Sequence, residues 1–226
     1  MIKRTHSGFT LIEIAIVLVI IGLLLGGVLK GQELINSAKV KNLATDFKNT
    51  PMFIYTYQDK FKALPGDDAI AATHATGATV ATTPAGGIGN GVINGNWDSV
   101  TASDESVLFW QHIRLAGLAS GESVVNTAAG NTYLPTNAVG GRIGITNGTA
   151  TNLPIAGLRG SHIICSGGIT GKFAKQLDST LDDGNTATSS MMVMAEPAAH
   201  PAAVPAAAVA TADIDDAASY TVCMGV

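Results

Sequence analysis

The sequence predicts an α+β fold: one long N-terminal α-helix, membrane-spanning and then amphipathic, packed on a small antiparallel β-sheet. Three observations predict it. Residues 9–29 are apolar almost without interruption, and an apolar stripe at helical spacing follows as far as residue 61. Beyond Gly121, four short apolar runs are each bounded by turn residues. Gly, Ala, Thr, Ser and Asn fill much of the remainder, which suits a loop-rich β domain better than a helical bundle. A chain of 226 residues allows one domain of ordinary size plus an anchor. Its formal net charge of −4 argues against nucleic-acid binding by bulk charge.

As a helix, residues 9–29 span about 30 Å, the thickness of a bilayer's hydrocarbon core. Lys3 and Arg4 precede the run, so the leader stays cytoplasmic and the rest of the chain is exported. A secretory signal peptide fits less well. The run is long, no Ala-x-Ala-type site closes it, and the small residue that marks a cut, Gly8, lies before it. Cleavage after Gly8 would leave 218 of the 226 residues and take the net charge from −4 to −6, because Lys3 and Arg4 leave.

Glu13 lies inside the apolar run. A carboxylate at that depth costs on the order of 3 kcal/mol on insertion scales. A cut between Gly8 and Phe9 would give Phe9 a free α-ammonium one helical turn away, and a carboxylate near a helix N-terminus is also favoured. Within one chain that pairing only lowers the cost. Between neighbouring chains it would set axial register, since any slip leaves a charge unpaired in hydrocarbon. The alternative is a Glu close enough to the interface to reach water.

Gly8-Phe9-Thr10-Leu11-Ile12-Glu13, with its basic leader and long apolar run, resembles the prepilin signature of type IV pilins and type II secretion pseudopilins. The resemblance covers roughly residues 1–50. It implies that a membrane aspartyl peptidase, the prepilin peptidase, cuts after Gly8 and methylates the new N-terminal Phe9. It implies that Glu13 pairs with that terminus across subunits in a homo-oligomeric helical filament, built by an inner-membrane assembly platform and a separate motor. Many family members have a proline near the end of the apolar run, where this chain has Lys30; Gly22, Gly26, Gly27 and Gly31 would supply the softness instead.

The resulting division is a leader at 1–8, a transmembrane helix and filament core at 9–29, an amphipathic helix at 30–63 and an exported globular domain at 64–226. In the amphipathic part Val40, Leu43, Phe47, Ile54 and Phe61 form one stripe. Pro51 is expected to kink or split the helix, and Leu64-Pro65-Gly66 to end it. Phe47 to Phe61 are expected to face the chain's own domain, and the membrane-proximal half to face neighbouring subunits. Residues 67–98 read as a long loop with Trp97 as its one bulky anchor. A second helix follows, with Ser103 as N-cap, Asp104 and Glu105 in its first turn and Gly121 as its stop; His112 and Arg114 read as solvated. The strand candidates are residues 142–145, 162–165, 191–194 and 220–224. Residues 195–212, rich in Ala and Pro, read as an extended surface excursion.

Cys165 and Cys223 would be two free thiols in cytosol and a disulfide if exported. The resemblance places the body outside the cytoplasm and so implies the disulfide. Asp178, Asp182 and Asp183 crowd carboxylates beside Gly184, oxygen ligands of the kind Ca²⁺ takes, but without EF-hand spacing. Some major pseudopilins bind calcium in a C-terminal loop, yet an Asp-Gly surface turn is the favoured reading of this run. Asn147-Gly148-Thr149 is a formal glycosylation sequon. No nucleophile elbow surrounds Ser166, the body's histidines (His74, His112, His162, His200) lack metal-ligand spacing, and no phosphate-binding loop is present, so the chain reads as no enzyme.

The expected function is therefore that of a structural filament subunit. It waits in the bacterial inner membrane and is then extracted into an extracellular pilus, serving adhesion, motility or DNA uptake. A pseudopilin in a periplasmic pseudopilus, or a minor or tip pilin with an adhesive role, shares the same signature. A monomeric exported enzyme or binding domain on a single anchor would have no use for Glu13.

Overall fold

The structure is a computed structural model that describes residues 11–128, 132–149, 152–202 and 204–226. The chain divides into two compact units, Met1–Lys39 and Val40–Val226. Helix α1 covers Leu11–Phe61. From Leu11 to Lys30 every residue of it is exposed, with Leu11 at 89% and Leu29 at 67%. The Lys30–Glu33 ion pair at 2.7 Å is exposed on both sides and contributes little.

In the second unit α1 buries Val40, Leu43, Ala44, Phe47, Thr50, Ile54 and Tyr57, spaced to fall on one helical face. The predicted stripe therefore packs on the chain's own domain from Val40 onward, not only from Phe47. Pro51 lies inside α1 and does not split it. A proline in a helix interior costs about 3 kcal/mol. Phe47, Ile54 and Tyr57 are each at most 1% exposed, and burying a large apolar side chain is worth about 1.5–3 kcal/mol. Packing on both sides of Pro51 thus outweighs the missing backbone bond. The helix stops at Phe61, ahead of Leu64-Pro65-Gly66. Lys62 turns into the left-handed region (φ 57°) while its N–H still bonds to the Gln58 carbonyl.

Residues 67–98 form a loop region as expected, interrupted only by the single turn α2, Ala71–His74. Buried carboxylates organise it rather than bulky side chains. Asp67, Asp68 and Asp98 are 3%, 1% and 0% exposed. Asp67 accepts the backbone N–H groups of Gly89, Asn90 and Gly91. Trp97 is not the sole bulky anchor, because Ile93 is fully buried too.

Helix α3 covers Glu105–Leu115, with Asp104 rather than Ser103 as its N-cap residue. The Asp104 carboxylate makes no cap bond; it accepts the hydroxyls of Thr83 and Ser99 instead. The helix closes before Gly121. Gly117 takes φ +77° and the Leu118 N–H reaches back to the Ile113 carbonyl at 2.9 Å, which satisfies the last turn. His112 is not solvated but fully buried. Its Nδ1 accepts the Gly66 N–H at 2.9 Å, so Nε2 carries the proton and donates to the Thr79 carbonyl at 2.8 Å. Burial holds its pKa below the ordinary value, in keeping with a neutral ring. Arg114 is likewise engaged, donating to the carbonyls of Glu122 and Tyr133.

The four predicted strands are all present: β1 Ile143–Asn147, β2 His162–Thr170, β3 Met191–Ala195 and β4 Ser219–Gly225. They pair antiparallel in the order β1-β2-β4-β3. Both faces are covered. Ile164, Met191, Val193 and Val222 join α1 and α3 in the main core, while Ile163, Cys165, Met192, Met194 and Cys223 join Trp97, Ile155 and Leu158 in a second. Two covered faces explain why the strands read as short apolar runs without polar alternation. A bulge in β2 between Ser166 and Ile169 places Gly168 at φ +67°, and the Glu196 carboxylate fixes it by accepting both the Gly168 N–H and the Thr221 hydroxyl.

An unforeseen helix, α4 Gly171–Leu181, links β2 to β3 and buries Phe173, Ala174 and Leu177. The Ala/Pro-rich segment after β3 is not a free excursion. Ala206 and Ala208 pack on the second core, and Val209 bonds back to Val193.

Cys165 and Cys223 face each other across β2 and β4 and form a disulfide, with S–S 2.06 Å and Cα–Cα 4.1 Å. It closes a separation of 58 residues. A Cys165→Ala/Cys223→Ala double variant should lose about 2–4 kcal/mol, a fall in Tm of about 5–15 °C by calorimetry. An unchanged Tm would show that sheet pairing alone sets the stability.

Candidate functional site

The N-terminal candidate is built on α1. Glu13 is in the first turn of that helix and exposed. Around it, Leu11, Ile12, Ile14, Ile16 and Val17 are about half exposed or more. By length and composition the helix can cross a membrane. Among the described residues its apolar side chains are exposed up to Lys30, as suits a helix that meets lipid or other helices. Gly8 and Phe9 lie outside the described residues, as does the basic leader.

In the globular unit, three predicted groups of residues meet different fates. Cys165 and Cys223 come together in the disulfide. Asp178, Asp182 and Asp183 also come together, their ligand oxygens all within 4.8 Å of one another. They do not form the simple surface turn expected, because Asp178, in the last stretch of α4, is fully buried. Burial first, then the charges of Asp182 and Asp183, push its carboxyl up to about 6. Ser166 is buried and accepts from the Asn137 side-chain amide, a structural contact. The sequon at Asn147 is buried as well, its amide donating to the Ile93 carbonyl at 2.8 Å, so this side chain is packed rather than presented.

Two polar networks escaped sequence reading. Asp68 accepts from the Tyr57 hydroxyl at 2.8 Å and meets His74 Nδ1 at 2.6 Å. Burial alone would raise its pKa, but the hydrogen bonds from His74, Tyr57 and the Ile70 N–H hold it below the usual carboxylate range. With Gln58, Phe61 and Lys62, Asp68 and His74 line a cleft of about 660 Å³, and the network orders the α1–α2 junction beside it. In the second, Asp98 accepts His200 Nδ1 at 2.6 Å and the Ala202 N–H at 2.7 Å, clasping the Ala/Pro-rich segment. Each joins an acid to a histidine with no periodic relation in sequence. The one signal was an Asp within a stretch otherwise lacking charge.

A model of the prokaryotic N-terminal methylation motif matches residues 3–29. Neither a curated protein nor a solved structure matches the chain. The motif implies processing by a prepilin peptidase, and with the apolar helix it fits an inner-membrane anchor. Residues 3–29 thus give this chain the prepilin signature of type IV pilins and pseudopilins, on an α+β, pilin-like architecture.

Proposed function

We propose that the chain is a structural subunit of a type IV pilus-like filament, cleaved after Gly8, methylated at Phe9 and assembled through α1. The observation that carries this reading is a membrane-length helix, exposed from Leu11 to Lys30, that bears a carboxylate at Glu13 within the methylation motif. Drawing such a helix from lipid into water is prohibitive, whereas moving it into a bundle of like helices is nearly neutral. Glu13 then meets the Phe9 ammonium of a neighbour and sets the register of the bundle. The subunit resides in the inner membrane until a platform and motor draw it into the filament. The covered, disulfide-stapled sheet suits a domain displayed outside the cytoplasm.

Identifying the bulk subunit of sheared surface filaments tests the reading. Recovery of this chain there, with a mature mass beginning at methylated Phe9, supports a pilus. Its absence from surface filaments, with processing intact, transfers the reading to a periplasmic pseudopilus. Gly8→Val should leave the leader uncut, seen as a full-length mass; a mature mass identical to wild type would rule out cleavage at this site. Glu13→Ala should remain cleaved and membrane-bound while filament yield drops at least about tenfold. Normal filaments from that variant would sink the register role.

A further inference from the structure

At the C-terminal end of α4, Asp178 is 0% exposed, and neither of its carboxylate oxygens closes a hydrogen bond. The Gly184 N–H lies close enough to ease its charge without completing a bond of normal geometry. An unsatisfied buried carboxylate costs several kcal/mol unless something neutralises it. The obvious cation on its own helix, Lys175, is directed elsewhere, to Asp216 at 2.5 Å and the Ile214 carbonyl. What faces Asp178 instead is more negative charge: Asp182 and Asp183 bring their oxygens within 4.8 Å. All three also sit at or just beyond the negative end of the α4 dipole, where carboxylates are disfavoured and cations favoured.

We propose that Asp178, Asp182 and Asp183 form a binding site for a hard, oxygen-liganded divalent cation of the Ca²⁺ type. The spacing suits it. Oxygens within 4.8 Å of one another can share a Ca²⁺ ion at about 2.4 Å from each, and Ca²⁺ tolerates the irregular carboxylate geometry of a turn better than Mg²⁺ does. Among the described residues these three aspartates are the one such group of acidic or soft ligands. The site belongs to the α4–β3 turn, not to the loop before the last strand. One ligand already touches the sheet: Asp182 accepts the N–H of Met191, the first residue of β3, at 2.7 Å. Asp183 holds the turn by accepting the Asn185 N–H at 2.8 Å. A bound cation would therefore lock the end of α4 to the start of β3.

The test uses the detergent-solubilised full chain, scanned calorimetrically in EDTA and in millimolar CaCl₂. Tm should rise by about 5 °C or more once Ca²⁺ is about a hundredfold above its Kd. Asp183→Ala removes an exposed ligand without touching the core. It should fold as wild type in EDTA, and its Ca²⁺ affinity by titration calorimetry should be weaker by at least about tenfold. Asp178→Asn should abolish the Ca²⁺ response; should that variant fail to fold, Asp183→Ala still decides. The same Tm in EDTA and CaCl₂, or an equal Ca²⁺ shift in wild type and Asp183→Ala, overturns the site. Filament assembly does not enter these readouts, so the site and the pilus reading fail separately.

Discussion

An α-helix of membrane length whose apolar side chains stay exposed from Leu11 to Lys30 among the described residues calls for an apolar medium around it. Everything specific about the first part of this protein follows from that requirement. The methylation motif overlaps this helix and implies processing by a prepilin peptidase, and together they fit an inner-membrane anchor. Beyond Val40 the same helix satisfies the requirement internally, with one face sealed by α3 and the sheet.

The globular unit meets a different difficulty. It has few aromatic residues, long stretches of glycine, alanine and threonine, and a sheet to be covered on both faces. Its answer is to use buried and half-buried polar side chains as local organisers. Asp67 gathers a glycine-rich loop, Asp98 ties down an Ala/Pro-rich strap, Glu196 fixes a bulge and His112 bridges two backbone segments. Each buried carboxylate among these is supplied with N–H or O–H donors, which is what permits its burial. Asp178 departs from that pattern, and the departure is what makes it informative.

Legibility in the sequence tracked how local each cause was. The anchor, the stripe on α1 and the four strands are written as runs or periods of apolar residues, and they were readable. Helix α4 also has a period, at Phe173, Ala174, Leu177 and Leu181, but it begins at a glycine behind a strand and carries few apolar residues. Pro51 misled because a local rule was overridden by burial on either side of it. His112 and Arg114 looked solvated because their partners, the backbone of Gly66, Thr79, Glu122 and Tyr133, are set by tertiary structure alone. The Asp98–His200 clasp joins positions 102 residues apart, beyond the reach of any window.

Strand order has a consequence for how the chain comes into being. β4 is an interior strand, flanked by β2 and β3, although it follows both in sequence. When the chain emerges N-terminus first, β2 and β3 must wait side by side with an empty lane between them until residues 219–225 arrive. Cys165 waits with them for Cys223. The sheet cannot be completed until the last strand is available, so the domain takes its final shape only when nearly the whole chain is present.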